Sequence, residues 1–118
     1  MVWVYVAAVL GAAAVAAGAF GAHGLAERVE PRQLEALRTA AHYALLHSAA
    51  ILALGLFEAA TGRGVRLPAG LMSVGTVLFA GSIFALVLLG WRFLGPVTPI
   101  GGLALIAGWL SLFALLRS

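Results

Sequence analysis

The chain has 118 residues, of which 64% are apolar and only 9% charged, and it carries a net charge of +3 and no cysteine. A soluble domain averages roughly 45–50% apolar and 25% charged residues, so this composition argues against a soluble fold. The absence of cysteine excludes disulfides, thiol catalysis and cysteine-bound metals. All seven basic residues are arginines at the ends of apolar segments, which excludes a nucleic-acid-binding surface and is ordinary for membrane spans.

Four stretches without charged residues cover 1–26, 39–57, 67–91 and 93–116. Each suffices to cross a bilayer, which takes about 20 mostly apolar residues. Because the segments are apolar on all sides, the sequence predicts an all-α fold: a four-helix transmembrane bundle with up-down topology and short loops. One membrane domain is expected over residues 1–118, with spans near 2–22, 40–60, 68–90 and 99–116.

The first span is predicted to be retained rather than cleaved. Residues 1–22 lack the basic start of a signal peptide, and the apolar run is longer than a usual signal-peptide core. Ala14, Gly18 and Ala22 recur at four-residue spacing. Such small residues let helix backbones approach closely in a membrane.

The second helix is predicted to begin before its span. Pro31 suits the first helical position, where a missing N–H has no partner to lose. Leu34 and Leu37 share one helical face, whereas the charged side chains lie elsewhere. Residues 31–39 are therefore expected to form a helix extension at the membrane interface.

Three histidines lie in or beside the first two spans. His42 and His47 are five residues apart, so they point about 140° away from each other on a helix and do not easily share a ligand. Tyr43 and His47 are four apart, and we expect a hydrogen bond between them. His23 closes the first span at a depth similar to that of His42, so only this pair is placed to ligate a haem or metal together.

The third and fourth spans place further polar and small residues on the side of the histidines. Ser82 lies about two turns inside the third span, and Thr98 is expected to be the N-cap of the fourth helix, ahead of Pro99. Glu58, the acid within a span, lies near the opposite surface about one turn from the end of its span. That position disfavours proton-coupled transport, which needs a carboxylate near mid-depth.

These residues converge on one leaflet and form the predicted ligand- or partner-binding site: His23, His42, Tyr43, His47, Ser82, Thr98, Pro99, Gly101 and Gly102. No nucleophile stands with a base and an orienting group, so no catalytic residue and no enzyme activity are predicted. No carboxylate lies in the same layer to complete a hard-metal site, so no metal and no cofactor are predicted.

Several motifs in chain order resemble the transmembrane protein 256-like family, also called the YgdD family or domain of unknown function 423. They are residues 18–25 (GAFGAHGL), His47, 78–82 (LFAGS), 98–102 (TPIGG) and 108–109 (GW). The chain departs from the family pattern at Ala80, where serine is common, and at Phe84, near a frequent tyrosine. The resemblance implies four spans, a bacterial inner-membrane location and both termini in the cytoplasm, with no assigned activity.

The leading functional expectation is a small structural or accessory protein of the membrane. It would bind lipid, a hydrophobic small molecule or a larger membrane complex through the histidine-bearing leaflet, and self-association stays open. One alternative is a histidine-ligated haem or redox membrane protein. The other is a small transporter or channel.

Overall fold

The computed structural model describes residues 1–24 and 28–117, excluding the side chains of residues 22, 23, 116 and 117. Its helices in chain order are α1 (Val2–Gly24), α2 (Pro31–Thr61), α3 (Arg66–Phe84), α4 (Val97–Leu110) and α5 (Phe113–Arg117). A π-helical turn, Ala85–Leu89, extends α3, and a 3₁₀ turn, Arg92–Leu94, precedes α4. The described ranges contain four segments long and apolar enough to cross a membrane, which confirms the all-α four-helix transmembrane fold.

Proline and glycine set the ends of α2. Pro31 occupies its first turn, and the N–H of Glu30 donates to Oε1 of Gln33 at 3.1 Å. At the other end Gly62 adopts the left-handed conformation, with φ of 75°, and its N–H bonds to the Glu58 carbonyl at 2.8 Å. Glycine adopts this conformation without a side-chain clash, so the helix ends there and the chain turns directly into α3. Residues 31–39 thus continue into the membrane-spanning part of one 31-residue helix.

The start of α4 differs from the sequence-based expectation. The helix begins at Val97 and its N-cap is Pro96, so Thr98 lies within the first turn and the prediction that it is the N-cap is wrong. The Thr98 hydroxyl instead forms a hydrogen bond with Oγ of Ser82 in α3, at 2.5 Å. The hydroxyl therefore ties two helices together rather than capping one.

The fourth span is not one regular α-helix. Ser111 and Leu112 interrupt it between α4 and α5. The N–H of Leu112 bonds to the Trp109 carbonyl at 3.2 Å, and the N–H of Ala114 bonds to the Ser111 carbonyl at 3.0 Å. Each of these bonds joins residues three positions apart, which is the tighter 3₁₀ pattern common at helix ends.

Helices α2 and α3 lie at the centre of the bundle, with α1 packed chiefly on α2 and α4 chiefly on α3. The Cα atoms span 49 × 26 × 17 Å, so in cross-section the bundle is wider in one direction (26 Å) than in the other (17 Å). Ile51, Val65 and Met72 are fully enclosed and belong to one apolar cluster between α2 and α3, and Leu37 is enclosed at the other end of α2. The outer faces of α1 and α4 expose apolar side chains such as Val9 and Leu103, as expected of surfaces that meet lipid.

Three glycines allow α3 and α4 to touch backbone to backbone. A Cβ added at Gly75 or Gly108 would lie 2.9 Å from Leu105 or 2.8 Å from Met72, respectively. At Gly101 the contact is tighter, because a Cβ would lie 2.4 Å from the backbone nitrogen of Phe79. Such close approach supplies the dispersion contacts that hold helices together in lipid.

Candidate functional site

Among the described side chains of the predicted site, the imidazole of His47 is the most enclosed polar ring, with 4% of the residue exposed. Its Nδ1 lies 2.7 Å from the backbone carbonyl of Tyr43, and the Nε1–H of Trp109 donates to its Nε2 at 2.9 Å. An indole can only donate, so Nε2 accepts and the ring proton lies on Nδ1, which donates to the carbonyl. Both ring nitrogens are thereby used, and the neutral tautomer is defined.

The predicted link between Tyr43 and His47 exists, but it runs to the Tyr43 backbone rather than to the phenol. The two rings lie 6.1 Å apart, while the Tyr43 ring stacks on Phe79 of α3 with centroids 5.1 Å apart. His47 and Trp109 meet edge to face at 5.8 Å. We call these four residues the aromatic cluster. It joins α2 to α3 and to α4.

A second group ties α3 to α4 beside the aromatic cluster. Ser82 is buried, its hydroxyl donates to the Phe79 carbonyl at 3.0 Å, and it also meets the Thr98 hydroxyl. Gly101 is buried against the Phe79 backbone, and a Cβ on Gly102 would lie an ordinary 3.8 Å from the Phe79 ring. Pro99 is exposed. Thus Ser82, Thr98 and Gly101 act in helix packing, whereas a methyl group would fit at Gly102.

The two histidines with described side chains, His42 and His47, do not lie in one pocket. His42 is exposed and lines a groove between α1 and α2 together with Gly18 and Arg38, whereas His47 faces α4. This separation follows from the five-residue spacing on one helix. The side chain of His23 lies outside the described residues. Among the described side chains, no three of His, Cys, Asp or Glu are grouped so as to hold a metal ion.

Glu58 lies at the opposite end of α2 from the predicted site. Its Oε2 accepts the backbone N–H of Val65 at 3.3 Å, in the turn between α2 and α3. In the same region Arg63 donates to the Leu115 carbonyl. Glu58 is therefore part of a turn that fastens the α2–α3 hairpin.

Thr76 carries a buried hydroxyl without a hydrogen-bond partner among the described residues. It lies on α3 beside a cavity of about 250 Å³ that α1 and α2 also line, chiefly with alanine. Other helical hydroxyls bond to a carbonyl four residues back, as Ser48 does to Ala44 at 2.6 Å and Ser73 to Ala69 at 2.7 Å. Thr76 is thus an exception among the described helical hydroxyls, because its buried oxygen lacks a hydrogen-bond partner.

Replacing Thr76 with valine is expected to stabilise the protein by about 1 kcal/mol. Valine has the same shape and removes a buried polar atom that gains no bond on folding. The matched control is Thr98→Val, which removes a bonded hydroxyl and is expected to lower stability. Thermal unfolding of both variants in one detergent measures this difference in sign, and a loss of stability in Thr76→Val would contradict the expectation.

Two members of the aromatic cluster, Phe79 and Trp109, were absent from the predicted site although both lie in the motifs that carry the family resemblance. The signal for Trp109 was its indole N–H inside an apolar span, because a buried indole N–H usually finds a partner. That signal called for an acceptor, but the sequence alone did not select His47 as that acceptor. Phe79 offered no such signal, since a phenylalanine in a span is ordinary.

The four apolar helices and their polar and glycine-mediated contacts define a small multi-pass membrane protein. Its residues 17–102 match a family described as protein of unknown function, DUF423, and the chain belongs to that family. A UPF0382 membrane protein from Staphylococcus haemolyticus is 39% identical over 98 residues, covering 83% of this chain and 80% of its own. No solved structure matches the chain.

Two further relatives match over nearly their whole lengths. A UPF0382 membrane protein from Schizosaccharomyces pombe is 41% identical over 113 residues, covering 91% of this chain and 94% of its own. The UPF0382 membrane protein YwdK from Bacillus subtilis is 37% identical over 118 residues, with 94% and 92% covered. The family resemblance inferred from the motifs is therefore confirmed, and these names state a membrane protein without an activity.

Proposed function

We propose that this chain is a non-enzymatic structural or accessory protein of the membrane. It binds bilayer lipid, a hydrophobic small molecule or a larger membrane complex through the leaflet that bears His23, His42 and His47. The supporting observation is that both ring nitrogens of His47 form hydrogen bonds, one with the Tyr43 carbonyl and the other with the Trp109 indole. An imidazole held in this way stabilises the helices that form a binding surface.

The same bonds weigh against His47 as a ligand to haem iron, so the haem alternative would rest on His23 and His42 alone. An axial ligand must offer a nitrogen lone pair, and the lone pair of Nε2 already accepts the Trp109 N–H. A polar path between α3 and α4 is equally disfavoured, because Gly101 brings α4 against the Phe79 backbone. A binding surface on the outside of the bundle requires neither an open ring nitrogen nor a channel.

The proposed location is the bacterial inner membrane, with both termini in the cytoplasm and the histidine-bearing leaflet facing outward. The family resemblance supports this orientation more than the charges do. Four arginines flank one side of the spans and three flank the other, a difference too small for the positive-inside rule to decide.

Native mass spectrometry of the full chain, extracted gently from its own membrane, tests the proposal. We expect a reproducible lipid, small molecule or protein partner in fixed stoichiometry. A photoreactive amino acid in place of Leu45, exposed one turn from His42 in the proposed leaflet, should crosslink to that species, whereas one in place of Leu67, exposed at the other end, should not. A bare monomer without adducts, or a Soret band that reveals haem, would contradict the proposal.

A further inference from the structure

A groove in two parts, which meet at Leu45, lies between α1 and α2 on the side turned away from the aromatic cluster. Its outer part, about 390 Å³, is lined by Arg38, His42 and Leu45 of α2 and by small residues of α1. Its inner part, about 350 Å³, begins at the same Leu45 and reaches Leu52. The lining residues of each helix recur three and four positions apart, so both parts follow one face of each helix.

The groove exists because α1 presents glycine and alanine to α2. A Cβ added at Gly18 would only just touch the Cβ of Ala41, at 3.7 Å, and one at Gly11 would meet Ser48 at 3.6 Å. The Ser48 hydroxyl donates to the Ala44 carbonyl, so it adds no unsatisfied polar group to the wall. The inner part of the groove is therefore apolar, and it is open along its length on the outside of the bundle.

The outer end of the groove is polar and cationic. Arg38 and His42 are one turn apart on α2, both are exposed, and both line the groove. Within the described part of the chain neither side chain takes part in a hydrogen bond or an ion pair. Glu35, the nearest acidic residue in the sequence, is exposed and does not line the groove. A guanidinium and an imidazole so placed are suited to bind phosphate oxygens.

We propose that this groove binds an anionic phospholipid, with its phosphate at Arg38 and His42 and one acyl chain lying along α1 and α2. The dimensions fit, because the ten residues from His42 to Leu52 extend about 15 Å along a helix. That is half of the roughly 30 Å hydrocarbon core, the depth that an acyl chain of one leaflet occupies. The Arg38 guanidinium in the groove lining favours an anionic over a zwitterionic headgroup. This inference rests on the proposed function and specifies the lipid class and its place.

The headgroup contact is tested with the full-length protein, stripped of lipid and titrated with phosphatidylglycerol or with phosphatidylcholine of the same acyl chains. Bound lipid is counted by native mass spectrometry. We expect phosphatidylglycerol to bind about tenfold more tightly, and Arg38→Gln to abolish that preference. Arg32→Gln is the matched control, since Arg32 is exposed on the same helix outside the groove, and it should retain the preference.

The acyl-chain contact is tested by filling the groove. Ala8 is exposed and lines its inner part, whereas Ala12, also exposed on α1, does not line it. Ala8→Leu should lower phosphatidylglycerol binding several-fold, and Ala12→Leu should leave it unchanged. Circular dichroism confirms that all four variants keep their helical content.

The outcomes separate this inference from the proposed function. Three results would contradict lipid binding in the groove: equal binding of the two lipids, an unaltered preference in Arg38→Gln, or full binding by Ala8→Leu. The proposed function would still stand in these cases, with the lipid or partner bound at another surface. A lipid-free dimer whose interface buries Ala8 and Leu45 would likewise contradict lipid binding in the groove, because a second copy would then fill it. If no lipid, hydrophobic molecule or partner protein bound at all, the inference and the proposed function would fail together.

Discussion

Gly101→Ala is expected to destabilise the protein more than any other single methyl addition at a described glycine. The added Cβ would lie 2.4 Å from the backbone nitrogen of Phe79 and 2.8 Å from its Cα. Backbone atoms cannot rotate away as a flexible side chain can, so α4 must move away from α3. Overpacking typically costs about 1–3 kcal/mol and sometimes more. We expect at least about 3 kcal/mol here, because the displacement also separates the hydroxyls of Ser82 and Thr98.

The measurement is thermal unfolding in detergent, followed by loss of helical circular dichroism and by protease sensitivity. Gly102→Ala is the neighbouring control, since its Cβ would meet the Phe79 ring at an ordinary 3.8 Å. Gly81→Ala is a second control on the other helix, with no heavy atom within 4 Å of the new methyl. Equal midpoints for Gly101→Ala and Gly102→Ala would show that α3 and α4 do not cross at this point.

Removing either partner of the bond between His47 and Trp109 is expected to have the second largest effect. His47→Leu keeps an apolar side chain of similar size but takes away the acceptor of the Trp109 N–H. Trp109→Phe removes the donor and leaves the buried Nε2 without a partner. An unmade hydrogen bond of a buried group costs about 1–3 kcal/mol, and in a bilayer no water replaces it. Each single variant should therefore lose about 2 kcal/mol.

The double variant separates the bond from general packing. If the bond accounts for much of each loss, His47→Leu with Trp109→Phe should cost less than the two single variants added together, by about 1 kcal/mol. Chemical unfolding of the four proteins in mixed micelles gives this coupling energy. His42→Leu is the control, because His42 is exposed on the other side of α2, and its stability should be unchanged. Strict additivity would mean that the two side chains do not interact.

The fold was predictable because hydropathy is a local property. Charge-free stretches of suitable length fix the number of spans in any bundle of this size. Pro31 and Gly62 mark the limits of α2 through their own backbone preferences, without reference to other helices. The divergence of His42 and His47 was likewise predictable from helical arithmetic on one helix.

The partners across helices were not predictable, since they depend on where two helices cross. His47 meets Trp109 because the Trp109 side chain reaches from α4 to α2 at that depth, and the sequence alone gives no such register. Thr98 was expected to cap its helix, but the close crossing at Gly101 brings Ser82 within reach of its hydroxyl. The α1–α2 groove was also unforeseen, because small residues predict close packing and do not show which side stays open.

The most direct measurement is ¹⁵N nuclear magnetic resonance of the histidine rings in the full chain, in bilayers at neutral pH. The signals of His47 are assigned by comparison with His47→Leu. We predict a neutral imidazole with its proton on Nδ1 and an unprotonated Nε2 coupled to the Trp109 indole proton. The predicted role of His47 would be contradicted by an imidazolium, by a proton on Nε2 or by an Nε2 signal shifted by a bound metal. Any of these results would mean that the His47 ring does not accept the Trp109 N–H and that it is free for other chemistry.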